Sequence, residues 1–168
     1  MDSNYVVALA VAASGGLGAA IDLKTRRVPN PLTLGIAAAG VGLAVMRLSG
    51  VTVTNALLGW VVGLAFMLPG FLIGATGGGD VKLFAALGTM LGPRDIGFAF
   101  LYALIAGGVL AVAVALHRRR FYETLGRTAA LVTTAGGNTA EIEHVSQDNR
   151  FAYAPAIAVG TLVTALGW

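Results

Sequence analysis

Residues 55–82 read NALLGWVVGLAFMLPGFLIGATGGGDVK, and they decide the fold because a long apolar run passes directly into a glycine-rich stretch ending at Asp80-Val81-Lys82. The first part, residues 55–73, has about the length that a helix needs to cross the hydrocarbon core of a bilayer. The second part places an acid at the edge of that run, where a charge is costly and marks a candidate functional site. The stretch therefore predicts a membrane helix followed by a functional turn.

The composition of the whole chain is typical of a membrane protein. Of the 168 residues, 57% are hydrophobic and only 11% are charged, whereas soluble domains carry about a quarter charged residues. So few charges cannot cover a compact soluble protein, and we expect the outer surface to face lipid. The 24 glycines favour close packing of membrane helices. The chain has no cysteine, which excludes disulfides, cysteine-ligated zinc and a cysteine nucleophile.

Six apolar segments predict an all-α, polytopic integral membrane protein with six transmembrane helices and a Gly-x-Gly-Asp turn between helices three and four. The segments are residues 5–21, 32–48, 55–73, 81–91, 96–116 and 151–168. The fourth is short, because Gly92-Pro93-Arg94-Asp95 interrupts it, and five crossings would move the C-terminus to the other face. We expect residues 1–168 to form one transmembrane domain, with residues 117–150 as a cytoplasmic loop within it.

The basic residues predict the orientation. With six crossings and the N-terminus outside, nine lysines and arginines lie on the inner face, and only Arg47 and Arg94 lie on the outer face. This asymmetry follows the positive-inside rule and would largely disappear with five crossings. Because the basic residues lie in short loops between apolar segments, the net charge of +3 does not indicate a nucleic-acid partner.

Two acids directly adjoin apolar segments. Asp22 begins the charged stretch that runs to Val28-Pro29-Asn30, and Asp80 ends the glycine run; the predicted orientation puts both on the inner face. Two carboxyl groups within a few ångströms do not both ionise readily, so such a pair can share one proton near neutrality. The ionised member can then take a proton from water while the neutral member donates one to the substrate. The pair predicts hydrolysis by an aspartic-protease mechanism, which requires neither a metal nor another cofactor.

The glycines and Lys82 are expected to support this pair. Gly77, Gly78 and Gly79 permit backbone angles closed to other residues and allow another chain to approach closely. Lys82 could orient an anionic group or extend towards the lipid phosphates. The two histidines lie on the loop of residues 117–150 without a third ligand nearby, so no metal site is expected.

These motifs together resemble the type IV prepilin peptidase family, the membrane aspartic proteases with a Gly-x-Gly-Asp motif. The resemblance rests on Asp22 with the basic stretch and Val28-Pro29-Asn30, on the glycine run ending Asp80-Val81-Lys82, and on the aromatic-small-proline stretch at 151–158. It implies that Asp22 and Asp80 are catalytic and that Gly77, Gly79 and Lys82 bind substrate or support the loop.

The resemblance also implies a substrate and a location. The substrate would be a prepilin or pseudopilin with a basic leader and a hydrophobic helix, cut on the cytoplasmic face of the bacterial inner membrane. The chain is similar in size to the short branch associated with tight-adherence (Flp-type) pili, with archaeal preflagellin peptidases as a more distant alternative. It lacks the paired cysteines of larger members, so we do not expect N-methyltransferase activity. Membrane lipid is the other expected partner, and the oligomeric state stays open.

Two other functions fit parts of the pattern. A small ion or solute transporter could bind cations at Asp22 and Asp80, although such acids usually face each other near the midplane of the membrane. A non-catalytic subunit of a pilus or secretion assembly would use the glycines only for helix packing. Loss of processing in aspartate variants would distinguish the enzyme from both.

Overall fold

The computed structural model describes residues 3–25, 27–117 and 153–167, and its secondary structure there is entirely helical. The helices are α1 (Ser3–Thr25), α2 (Asn30–Val45), α3 (Val53–Leu72), α4 (Gly78–His117) and α5 (Ala154–Ala165). The expected all-α fold is therefore confirmed for these residues. The predicted cytoplasmic loop of residues 117–150 lies almost wholly outside them.

Local sequence explains the ends of α2 and α3. Pro31 lies in the first turn of α2, where its missing N–H costs nothing. The hydroxyl oxygen of Thr52 accepts a hydrogen bond from the Asn55 N–H at the start of α3. At the other end of α3, Gly74 follows the cap with a φ of 74°, the left-handed conformation that commonly terminates helices at glycine.

Helix α4 is two helices joined at a sharp reversal. Gly92 has φ 82° and ψ 176°, which breaks the helix into α4a (residues 78–91) and α4b (residues 93–117). The rings of Phe84 and Phe100 lie 6.0 Å apart, whereas sixteen residues of straight helix would separate them by about 24 Å. The chain therefore folds back on itself at Gly92, and the interruption expected at Gly92-Pro93 is confirmed.

Helix α4a forms the centre of the bundle. Residues 83–92 are all buried, and a helix that is apolar on all sides packs against neighbours on every side. Helix α3 approaches so closely that a methyl group on either Gly59 or Gly88 would overlap the carbonyl oxygen of the other. Helices α1 and α2 cover other sides of α4a, where Gly18 meets Leu83 and Gly40 meets Thr89.

The helices alternate in direction, so the bundle has two distinct ends. At one end Ser3 lies beside Gly50, and Val51 lies beside Gly92. The other end gathers the last turn of α1 and the first turns of α2, α4a and α5. We call it the acidic end, because Asp22 and Asp80 are both there.

The outside of the bundle is apolar. Large exposed hydrophobic side chains occur on all the helices, including Leu9, Leu34, Leu57, Leu101 and Val159. Within the described residues, three helical stretches are long and apolar enough to cross a membrane, namely Ser3–Thr25, Val53–Leu72 and Gly78–Val114, the last of which includes the reversal. The chain is thus a helical membrane protein, while six crossings remain a prediction.

Candidate active site

Asp22 and Asp80 come together at the acidic end although they are far apart in the sequence. Only 5% of Asp22 and 7% of Asp80 is exposed, and Asp22 is close enough for its charge to act on Asp80. Asp22 lies within the last turns of α1, rather than opening a loop after the helix as expected. Asp80 lies in the first turn of α4a, where the partial positive charge of the helix end favours an anion.

A backbone N–H group contacts each carboxyl group. The Gly77 N–H donates to Oδ2 of Asp80 at 3.3 Å, a long hydrogen bond within the turn before α4a. The Ala154 N–H, at the start of α5, lies close enough to Asp22 to act on its carboxyl group. Helix α5 therefore contributes backbone to the site.

One oxygen of each carboxyl group accepts no hydrogen bond from the described residues. Oδ2 of Asp22 and Oδ1 of Asp80 are buried and have no hydrogen-bond partner in the described part of the chain. Burying an acceptor without a partner is costly. Two such acceptors close together mark this end of the bundle as the candidate site.

The backbone conformation of the glycine run, residues 77–79, differs from the expected one. Gly78 and Gly79 are the first residues of α4a, and Gly77, Gly78 and Gly79 all lack a positive φ. The expectation that they adopt backbone angles closed to other residues is therefore wrong. The close approach seen in the structure is made by the protein's own residues: a β-carbon on Gly79 would lie 3.2 Å from both the N and Cβ atoms of Val28, and one on Gly77 would lie 3.1 Å from Oδ2 of Asp80. Approach by another chain stays a prediction.

Lys82 has a defined partner. Its Nζ donates to Oδ1 of Asn30 at 3.0 Å, which connects the two sequence motifs that bear the acids. Nothing in the sequence indicates that these two side chains pair, because Asn30 is equally consistent with a simple helix start after Pro29.

Tyr153 is a further residue that the sequence did not single out for the site. Its hydroxyl donates to the carbonyl of Ala103 at 3.2 Å, and the ring lies against Gly107. The residue is close enough to Asp80 to experience its charge. Tyr153 thereby fixes the start of α5 beside the two acids.

The fold and the site define a class: a helical membrane protein with two buried carboxyl groups at one end of its bundle. Residues 8–112 match the model of the type IV leader peptidase family, and the chain belongs to that family. The matched range includes Asp22 and Asp80 but ends before α5.

A curated relative is similar over part of the chain. A prepilin leader peptidase/N-methyltransferase of Bacillus subtilis (strain 168) is 35% identical over 69 residues, which is 36% of this chain and 28% of that protein. The match therefore spans about a quarter of the length of that relative. No solved structure matches the chain.

Proposed function

We propose that the chain is a membrane-embedded aspartic endopeptidase that removes the leader peptide of type IV prepilins. The observation that carries the proposal is the pair Asp22 and Asp80, buried together at the acidic end with one oxygen of each unpartnered. Family membership supports the reaction class, since the chain belongs to the type IV leader peptidase family.

The pair has the chemistry for peptide hydrolysis. Two close carboxyl groups in a low-dielectric site favour the state in which one is ionised and the other protonated. The ionised carboxylate accepts a proton from the attacking water, and the protonated acid donates one to the substrate carbonyl. The backbone N–H of Gly77 donates to one oxygen of Asp80, the N–H of Ala154 lies close to Asp22, and one oxygen of each carboxyl group has no partner in the described residues.

The charges favour one side of the membrane for the acidic end. Lys24, Arg27 and Lys82 lie at the acidic end, while Arg47 and Arg94 lie at the opposite end. The positive-inside rule favours a cytoplasmic acidic end in the bacterial inner membrane. We infer that a prepilin presents its basic leader and the start of its hydrophobic helix there. A Flp-type prepilin is the proposed substrate, on the basis of the short-branch resemblance.

The transporter alternative is less well supported by this placement. An ion pathway needs polar groups along the bundle axis. The buried polar atoms without a partner, as far as the described residues show, belong to Asp22, Asp80 and Thr76, at the acidic end. The centre of the bundle is instead filled by α4a.

The test is co-expression with a prepilin from the same operon, comparing the wild type with Asp22→Asn and Asp80→Asn. We expect each variant to insert normally and to leave the prepilin uncut, as seen by gel mobility and by mass spectrometry of its N-terminus. Asp95→Asn is the matched control, because Asp95 is exposed at the opposite end. Complete cleavage by either site variant would rule out the paired-acid mechanism.

A further inference from the structure

The short connection between α1 and α2 is fixed at several points. The Thr25 hydroxyl lies 2.9 Å from the carbonyl oxygen of Ile21 and 2.8 Å from that of Arg27, so it can donate to either. Val28 is only 7% exposed. We call residues 27–30 the docked loop, since they lie against the first turns of α4a.

Two contacts dock this loop. Val28 packs on the backbone at Gly79, where a β-carbon would be only 3.2 Å away. Lys82 donates to the Asn30 side chain at 3.0 Å across an exposed surface. The first contact leaves little room for a residue larger than glycine, and the second pairs a long cationic donor with an amide oxygen. Both partners of each contact are close in sequence to an acid.

The spacing ties the loop to the acids. Val28 and Asn30 follow Asp22 along the chain, and Lys82 follows Asp80 by two positions. Holding Asn30 against Lys82 therefore limits how far the end of α1 can move from the start of α4a. Catalytic groups need this control, because a misplacement of about 1 Å can cost 10²-fold in rate.

We propose that Lys82 and Asn30 are positioning residues, whose hydrogen bond clamps the docked loop onto α4a and thereby sets the separation of Asp22 and Asp80. The catalytic consequence rests on the proposed peptidase function, whereas the clamp itself does not. A lysine that bound the substrate directly would work without Asn30, so the two roles can be separated.

The first test of the clamp does not depend on prepilin cleavage. The chain has no cysteine, so Val28→Cys introduces a single buried thiol whose alkylation by a membrane-permeant maleimide reports opening of the docked loop. In this background, Lys82→Met and Asn30→Leu should each raise the alkylation rate about tenfold, equivalent to about 1.4 kcal/mol, and the double variant should raise it no further. Lys24→Met, which removes another exposed lysine nearby, should leave the rate unchanged.

Leu23→Cys provides the reference thiol, because Leu23 is 64% exposed and should react at the same rate in all backgrounds. An alkylation rate at Val28→Cys that does not respond to Lys82→Met would overturn the clamp, whatever the protein catalyses.

The positioning role is then tested by prepilin cleavage in the chain with native Val28. Lys82→Met and Asn30→Leu should each lower kcat about tenfold with little change in KM, and the double variant should match the single ones. Asn30→Asp should retain activity, since a carboxylate also accepts from Lys82. If only Lys82→Met impairs cleavage, and does so through KM, the lysine contacts substrate and the positioning role is refuted. Absence of cleavage by the wild type would count against the proposed function and leave the alkylation result intact.

Discussion

Replacement of Gly160 by alanine tests how α5 is packed in the bundle. A β-carbon at this position would lie 2.5 Å from the N atom of Ala103, 2.8 Å from its Cα and 2.7 Å from the carbonyl oxygen of Ala99. All three atoms belong to the backbone of α4b, so no side-chain rotation can relieve the overlap. Since heavy atoms pack at about 3.5–4.0 Å, α5 would have to move away by about 1 Å.

The cost can be worked out from that overlap. Overpacking of a tight interior costs about 1–3 kcal/mol, and a clash with fixed backbone belongs at the upper end of that range. The higher helix propensity of alanine compared with glycine raises the free energy of unfolding by up to about 1 kcal/mol. The net loss in the free energy of unfolding for Gly160→Ala is therefore about 2 kcal/mol. At about 2–4 °C per kcal/mol for a chain of this size, the Tm should fall by about 4–8 °C.

The measurement is thermal unfolding of the purified protein in mild detergent. Gly108→Ala is the matched control, because a β-carbon there would have no neighbour within 4 Å. It should leave the Tm unchanged or raise it slightly. Equal Tm values for Gly160→Ala and Gly108→Ala would show that α5 does not pack on α4b in this way.

Two further predictions concern the site. Gly79→Ala should lower prepilin cleavage, because its methyl group would push Val28 off the first turn of α4a. The control variant Gly16→Ala, on an open face of α1, should cleave prepilin normally. Equal cleavage by the two variants would refute the need for close approach of Val28 to Gly79. Tyr153→Phe should lower the free energy of unfolding by about 1 kcal/mol through the loss of its hydrogen bond to a neighbouring helix; the same change at Tyr5, which is 69% exposed, should have no effect on the Tm.

Apolar length and helix-terminating residues made most of the helices predictable. The expected segment 55–73 corresponds to Val53–Leu72, and the expected segment 32–48 corresponds to Asn30–Val45. The break at Gly92 was also visible, because Gly-Pro cannot continue a helix. Proline at the start of α2 and glycine after α3 act as they commonly do at helix ends.

The ends of two helices could not be predicted from hydropathy. Helix α1 continues through Asp22 to Thr25, and α4 begins at Gly78 rather than at Val81. In both places the aspartate is buried by other helices, although Lys24 and Thr25 at the end of α1 are exposed. Tertiary packing around Asp22 and Asp80 thus favours helix at positions where local polarity alone would end it. Burial of this kind depends on partners distant in the chain.

The two acids of the site could be predicted from the sequence, but the groups that surround and position them could not. Asp22 and Asp80 stood out because charges beside apolar runs are rare. Lys82 and Asn30 lie 52 positions apart, and nothing in either motif indicates that they bond to each other. The position of the Ala154 N–H beside Asp22 could not be predicted either, because every residue type except proline carries a backbone N–H.

The contact of Ala154 with Asp22 has a consequence for how the protein is made. A ribosome completes both acids long before it reaches α5, so a nascent chain can already insert α1 and α4 while Asp22 still lacks this neighbour. Asp22 then gains the backbone N–H beside it only when α5 enters the membrane. Synthesis of α5 is thus a late step in assembling the surroundings of the pair, and a chain that stops before Ala154 has both acids without this neighbour.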